Sequence, residues 1–447
     1  MEHDMTRGGI LKNMIRFSLP YLLSCFLQTF YGLADLFITG RYNGADAITA
    51  VSVGSQLTHM LTVVIVGLAM GTTVGIGRAV GSGDKDKISR IVGNTITLFA
   101  IFSAVLMVVL TVFLEDILGL LSTPAEAMGQ AKQYLFVCAM GVPFIAAYNV
   151  ISNIFRGLGD SKTPMYFVAV AGVVNVILDI ILIGPMGMGA KGAAIATVTA
   201  QGISVVLALY VMKRMQLGIS VSIKDLIIDT GVTKDLLSVG TPIAAQDGFI
   251  QVSFLVITAI ANARGVEVAA AVGIVEKIIC FVFLVPSAML SSVSAIAAQN
   301  AGAGKHDRSR KVLLYGIGIC VGFGIIVALV CQFAAEPIIR LFAEDEPVVV
   351  RFGAQYLRTY ITDCGFAGVH FCFTGFFCAY EKSIFSFIHN IISILAVRIP
   401  GAYLASVYFP ETLLPMGLAA PMGSLLSVFI CVGLYVVFFG KRKEFHE

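Results

Sequence analysis

Apolar stretches of about twenty residues, separated by short polar segments, recur along the whole chain, the first at residues 17–38 and the last at 428–440. A bilayer core about 30 Å thick needs roughly 20 apolar residues to be crossed as a helix. About twelve stretches answer that need, and they leave no room for a soluble domain. The pattern predicts an all-α polytopic membrane protein. Residues 19–38 are too long for the core of a signal peptide and no small-residue cleavage site follows, so the first helix is expected to be retained.

The short loops orient the chain. One side carries Arg7, Lys12, Arg16, Lys85, Lys87, Arg90, Arg156, Lys162, Lys213, Arg214, Lys224, Lys234, Lys305, Arg308, Arg310, Lys311, Lys382, Lys441, Arg442 and Lys443. The other carries Arg41, Lys132, Lys191, Arg264, Arg340, Arg351 and Arg358. Basic loops stay inside, so both termini are expected in the cytoplasm of a cell whose plasma membrane, a bacterial inner membrane, the chain spans an even number of times.

The polar segments repeat. Pro20 and Pro242 each precede a helix core, 222 residues apart. Residues 78–87 align with 299–308, placing Gly81 on Gly302 and Gly83 on Gly304. Gln133-Tyr-Leu falls on Gln355-Tyr-Leu, residues 156–161 on 378–383, and 191–194 near 416–419. A near-constant offset implies two tandem copies of about six helices in the same orientation, a parallel pseudo-two-fold repeat with a cavity between the halves. The expected division is an N-terminal lobe at 1–212, a cytoplasmic linker at 213–235 and a C-terminal lobe at 236–447. Within the linker, residues 223–228 read either as an interfacial helix or as a plain connector.

Composition changes this picture little: 57% of residues are hydrophobic and 13% charged, against about 45–50% and about 25% in soluble proteins. The net charge of +3 is too small to imply a nucleic-acid partner. The nine cysteines all lie within or at the ends of apolar stretches without a CxxC pair, and read as small buried hydrophobes.

Intramembrane polar residues carry the candidate chemistry, because an ionised side chain at mid-bilayer costs about 2.5–3.5 kcal/mol on insertion scales. Asp35 lies four residues after Tyr31 and seven after Gln28; Asp179 lies four after Asn175. Each set shares one helix face, so two carboxylates with amide and hydroxyl neighbours are available to bind a proton or Na⁺ in the first half. The second half has no equivalent pair, since Asp35 maps to Ile257 and Asp179 to about Gly401. It offers Gln246, Asp247 and Gln251, with Asp247 the best functional candidate, and Glu276, Lys277, Asp363 and Arg398, which suit a structural ion network equally well. His59, His370 and His389 show no metal-ligand spacing and are expected to be satisfied core residues. No phosphate loop is present: Gln299 stands where the first glycine before Gly304-Lys305 belongs and His306 where Ser or Thr belongs. Residues 75–80 miss the third glycine of a dinucleotide loop. Direct ATP drive is therefore disfavoured, and ion coupling is left.

The pattern Pro20…Tyr31-x-x-x-Asp35-x-Phe-Ile-x-Gly40 resembles the multidrug and toxic compound extrusion (MATE) family. So do the loop at 81–84, the Arg156-Gly-x-Gly-Asp160 loop and Asn175-x-x-x-Asp179. The likeness covers essentially the whole chain and is closest to the DinF-like branch. It implies a non-enzymatic antiporter, acting as a monomer without cofactor, that exports bulky, cationic or amphipathic organic compounds against H⁺ or Na⁺ by alternating access. It further implies that Asp35, Asn175, Asp179 and Thr197 form the cation or proton site, with Na⁺ taken by Asp35 and Asp179 where sodium is the coupling ion. Gln28, Tyr31, Asn149 and Asn153 would line the adjoining cavity. Members with a sodium site in the second lobe place acids on helices 7 and 10, and Asp247 and Asp363 stand about one turn from those positions. The second reading is a flippase for a lipid-linked oligosaccharide or peptidoglycan precursor, which would call for a more cationic cavity; Arg78, Lys277 and Arg398 are the candidate cations outside the loops. A channel or membrane enzyme is disfavoured by the lack of a filter sequence or a nucleophile–base constellation.

Overall fold

A computed structural model of the chain describes residues 4–121, 123–215 and 222–440. The basic tail at Lys441, Arg442 and Lys443 and residues 216–221 of the linker lie outside the described residues. Helices account for the fold and no strand occurs among the described residues. Eleven helices are long and apolar enough to cross a membrane, and a bent pair supplies the twelfth.

The chain forms two compact units, Leu19–Gly240 and Thr241–Glu447 with Met1–Ser18. The first is built on α1 (Ile10–Tyr42), α2 (Ala45–Ser82), α3 (Lys85–Val112), short α4 (Leu114–Leu120), α5 (Ala125–Gly157), α6 (Lys162–Ile183) and α7 (Gly189–Arg214). The second is built on α8 (Thr230–Asn262), α9 (Val266–Val282), α10 (Leu284–Gly302) and α11 (His306–Arg340). It continues with α12 (Pro347–Tyr360), α13 (Asp363–Ala379), α14 (Ile384–Ser393), α15 (Ile399–Tyr408) and α16 (Leu414–Phe438). The lead helices α1 and α8 each divide between units, and they do so 222 residues apart, immediately before Pro20 and Pro242. That is the offset of the sequence repeat.

Small residues fill the buried faces: Ala131, Ala193 and Ala194 in the first unit, Ala271, Ala335 and Ala354 in the second. Large apolar side chains point outward instead, with Phe37 74% and Phe333 85% exposed. In water such a surface would aggregate; against lipid it costs nothing, since lipid tails are as apolar as the side chains. Seven cysteines are buried as expected, but Cys280 is exposed on this outward face and Cys25 is half-buried.

Local turns show how faithfully the two copies fold. Gly83 and Gly304 end α2 and α10 with φ of 75° and 71°. After Gly83, Asp84 caps α3 by accepting from the Lys87 amide at 2.8 Å. The second copy has Lys305 there, and its Nζ donates instead to the Thr6 carbonyl at 2.9 Å. The Met5 amide donates to Gln299 Oε1 at 3.0 Å, so residues before α1 are fastened to the α10–α11 loop. The linker retains one 3₁₀ turn, Ile223–Leu226. The Ser222 amide and hydroxyl hold the Asp225 carboxyl below the usual carboxylate range. Asn94 Oδ1 of α3 accepts the Asp229 amide at 2.7 Å and fixes the linker's exit. Residues 223–228 are thus a docked turn rather than an interfacial helix.

The turn after α5 recurs after α13. Gly159 N–H donates to the Arg156 carbonyl and Asp160 N–H to that of Phe155; Glu381 N–H donates to Cys378 and Lys382 N–H to Phe377. The shared geometry puts Gly159 at φ 89° and Glu381 at φ 58°, the one non-glycine residue with positive φ among the described residues. A left-handed conformation costs an L-residue roughly 1–2 kcal/mol. Glu381→Gly is therefore expected to be tolerated, changing stability by no more than about 1 kcal/mol, whereas Glu381→Val destabilises by at least that amount. Thermal unfolding of the purified variants in one detergent would show the order; equal loss in both would contradict it.

Candidate functional site

In the first unit α1, α6 and α7 present the predicted acids to one another. Asp35 is 4% exposed and Asp179 fully buried, with Asn175 buried beside them. Thr197 Oγ1 on α7 donates to Asp35 Oδ2 at 3.2 Å, and Asn175 Nδ2 reaches Thr197 Oγ1 at 3.4 Å. The carboxyl groups of Asp35 and Asp179 lie within hydrogen-bonding reach of each other. Asp35 Oδ1, both Asp179 oxygens and Asn175 Oδ1 are buried with no hydrogen-bond partner. A carboxylate is acceptor-only, so this arrangement has an excess of acceptors and lacks a positive charge. A proton shared between the acids, or a small cation among the four oxygens, supplies what is missing.

The rest of the α1 face follows the acids. Tyr31 OH is approached by Gln201 Nε2 at 3.5 Å, and Gln28 adjoins Tyr148 of α5. Gln201 was not singled out by sequence; its place four residues after Thr197 is the signal that could have found it. Asn149 and Asn153 are more deeply engaged. Their Nδ2 groups donate to the carbonyls of Ile145 and Asn149, each at 2.8 Å. Asn153 Oδ1 also accepts from Thr73 Oγ1 of α2 at 2.9 Å. Asn153 thus ties two helices together.

The second unit arranges its polar groups differently. Gln246 is buried with Oε1 unpartnered, while Asp247 and Gln251 on the same helix are half-buried. A charged cluster forms elsewhere, at three helix breaks. Glu276 lies on α9 shortly before its end; Tyr360 and Asp363 flank the break where α12 and α13 bend by 40°. Arg398 ends a π-helical stretch, Ile394–Arg398, in which Ile399 N–H bonds the Ile394 carbonyl. The cause is Pro400, which has no N–H to continue the α ladder. Arg398 Nη2 donates to Tyr360 OH at 2.7 Å, its guanidinium lies 4.8 Å from the Phe254 ring centroid, and Glu276 and Asp363 supply the opposing charge. Thr258 Oγ1 donates to Glu276 at 3.3 Å. Lys277 is exposed.

The histidines depart from expectation. His370 and His389 lie with ring centroids 5.4 Å apart, and His389 Nε2 meets Thr374 Oγ1 at 3.2 Å. Both Nδ1 atoms are buried without a partner. Sequence separation concealed this pair, which is brought together by the packing of α13 on α14. Among the described residues no group of three or more His, Cys, Asp or Glu could hold a metal ion.

Residues 20–181 and 242–404 each match the MatE family profile, one match per copy of the repeat. The chain is 27% identical over 447 residues to the probable multidrug resistance protein YoeA of Bacillus subtilis (strain 168), covering 98% of this chain and 96% of that one. It is 26% identical to the probable multidrug resistance protein NorM of Thermotoga maritima, covering 97% and 93%. Among solved structures, a MOP superfamily transporter from Pyrococcus furiosus Vc1 (DSM3638) has the same fold, with a TM-score of 0.90 at 21% identity over 96% of this chain and 95% of that one.

The second-unit cluster makes a stability prediction. Removing one partner of a fully buried pair costs about 3–5 kcal/mol, because the other charge is stranded. Arg398 is partly exposed, so Arg398→Met is expected to cost about 2–3 kcal/mol, and the added change Glu276→Gln to restore part of it. Lys277→Met should cost well under half as much. Thermal unfolding of the four proteins measures this, and an Arg398→Met protein as stable as the parent would dismiss the cluster as an ion network.

Proposed function

The chain belongs to the MatE family, and we propose that within it this protein is a secondary antiporter exporting bulky, cationic or amphipathic organic compounds in exchange for H⁺ or Na⁺. The observation that carries the proposal is the facing pair Asp35 and Asp179, with four buried acceptor oxygens and no positive charge. The family is one of transporters rather than enzymes, which fits the lack of any nucleophile–base arrangement in this site. The multidrug resistance names of the two relatives support drug-like substrates.

The proposed cycle follows from charge. With a proton or Na⁺ bound, the pair is compensated, and a cationic substrate has no reason to stay beside it. When the pair is emptied, its uncompensated charge attracts the organic cation into the same unit. Each ligand moves the conformational equilibrium only by its differential affinity for the two states. Thr197 and Asn175 hold the orientation of Asp35 through both stages. The basic loops suggest that both termini face the cytoplasm, so that uptake of the ion from outside drives efflux, and one chain holds every residue that the cycle invokes.

Purified protein in liposomes, loaded with ethidium and driven by separately imposed pH and Na⁺ gradients, tests the reading. Asp35→Asn or Asp179→Asn is expected to lower gradient-driven efflux at least about tenfold, while energy-independent counterflow of ethidium survives in part. Full gradient-driven efflux by Asp35→Asn would overturn the coupling role.

A further inference from the structure

A second charge imbalance lies in the first unit, at the opposite end of the α1 polar face, and neither the coupling pair nor the cation path accounts for it. Arg156, on the last turn of α5, is 6% exposed. Its guanidinium stacks on the Tyr21 ring, 4.4 Å from the centroid. It makes no ion pair and no hydrogen bond with a described residue, and its Nε is among the buried unpartnered atoms. Four and eight residues earlier on the same helix face, Ser152 Oγ and Tyr148 OH are also buried without a hydrogen bond of normal geometry, close to each other and with Gln28 beside Tyr148. Cys25 of α1 closes the cluster, adjoining both Tyr21 and Arg156.

The contrast with Arg398 shows what is missing. Both guanidiniums stack on a ring and both leave Nε unpartnered, but Arg398 donates to a tyrosine hydroxyl and feels the charges of two nearby carboxylates, whereas Arg156 has neither a hydrogen bond nor an ion pair with a described residue. A buried charge without a counter-charge is expensive. Moreover, the three orphaned groups, one N–H and two hydroxyls, can all donate. The cluster is short of acceptors, the mirror image of the acid pair. Tyr21 and Asp35 are fourteen residues apart on α1, which is about 21 Å of helix, so the two sites are separate.

We propose that Arg156, Tyr148 and Ser152 form an anion-binding subsite for a phosphate or carboxylate group borne on an aromatic or lipid body, the body lying against Tyr21. The guanidinium supplies a charge-assisted fork and the two hydroxyls complete the donor set. Two sources share this chemistry: the phosphate of a bilayer lipid, since Arg156 ends a membrane-spanning helix, and a soluble organic anion entering by the substrate path. The inference goes beyond cation export and needs only binding, so loss of ion-driven transport would leave it standing.

Protein in phosphatidylcholine nanodiscs, titrated with 1-naphthyl phosphate and with neutral 1-naphthol, tests the soluble source. Native mass spectrometry after exposure to mixed phosphatidylglycerol and phosphatidylcholine tests the lipid source. For a soluble anion, the wild-type protein is expected to prefer the phosphate by about tenfold or more, Arg156→Gln to lose that preference, and Arg156→Lys to keep part of it. For a lipid, retention of phosphatidylglycerol over phosphatidylcholine should fall severalfold in Arg156→Gln and recover in Arg156→Lys. Tyr148→Phe, a milder change, guards against misfolding by Arg156→Gln and should weaken whichever preference is found. Either pattern supports the subsite; wild-type protein without preference for either anion, or a preference untouched by Arg156→Gln and Tyr148→Phe, overturns it.

Discussion

A charge inside a membrane protein has to be answered by an opposite charge, by hydrogen bonds or by a ligand, and this molecule uses each answer in a different place. The acids of the first unit are answered by Thr197 and only in part, leaving three carboxylate oxygens and the Asn175 amide oxygen open. Arg398 in the second unit is answered by a hydrogen bond to Tyr360 and by the nearby charges of Glu276 and Asp363, although its Nε stays unpartnered. Arg156 is answered by a ring face alone. The surrounding helices are apolar enough to sit in lipid without further help, so these few polar groups set what the bundle can do. An incomplete answer stores no strain by itself, but it makes the stability of the site depend on what binds there.

Duplication explains why the scaffold is so regular while its chemistry is not. The lead helices divide at equivalent positions, and the turns after α5 and α13 share their hydrogen-bond pattern down to the left-handed residue. The turn keeps this backbone geometry in both copies, even where Glu381 stands at the place of Gly159. Side chains do not follow the same pattern. Asp84 caps a helix in one copy, and Lys305 in the other has turned to the segment before α1. In the same way one copy keeps its acids on continuous helices and the other gathers charges at helix breaks. The two units therefore share a backbone plan but not a polar arrangement.

Much of this was legible from sequence. Spans declare themselves by length and apolarity, and the repeat by its constant offset. The pairing of Asp35 with Tyr31 on one face and of Asp179 with Asn175 on another follows from helical spacing alone. What spacing cannot tell is which faces meet. The approach of His370 to His389, the ties of Asn153 to α2 and the opposition of Arg398 to Asp363 all depend on helix packing between residues distant in sequence. The π-helical stretch before Pro400 is an intermediate case: proline forbids the regular ladder, but whether the helix kinks, ends or widens is decided by its neighbours.

The position of the two unbalanced sites at opposite ends of one helix face, α1, bears on how a single polar path can serve unlike groups. Along α1 the polar face runs from Tyr21 through Cys25, Gln28 and Tyr31 to Asp35. Its two ends carry opposite deficits, acceptors in need of a cation at Asp35 and donors in need of an anion at Arg156. The middle is amide, thiol and phenol, groups that can both donate and accept or that tolerate either sign. A ligand with charge of one sign is held at one end and indifferent to the other, while an amphipathic one can rest its rings on Tyr21 or Tyr31 wherever its charge lies. If the proposed antiport holds, breadth of substrate would come from the neutral middle, and direction from the end whose charge an ion can switch.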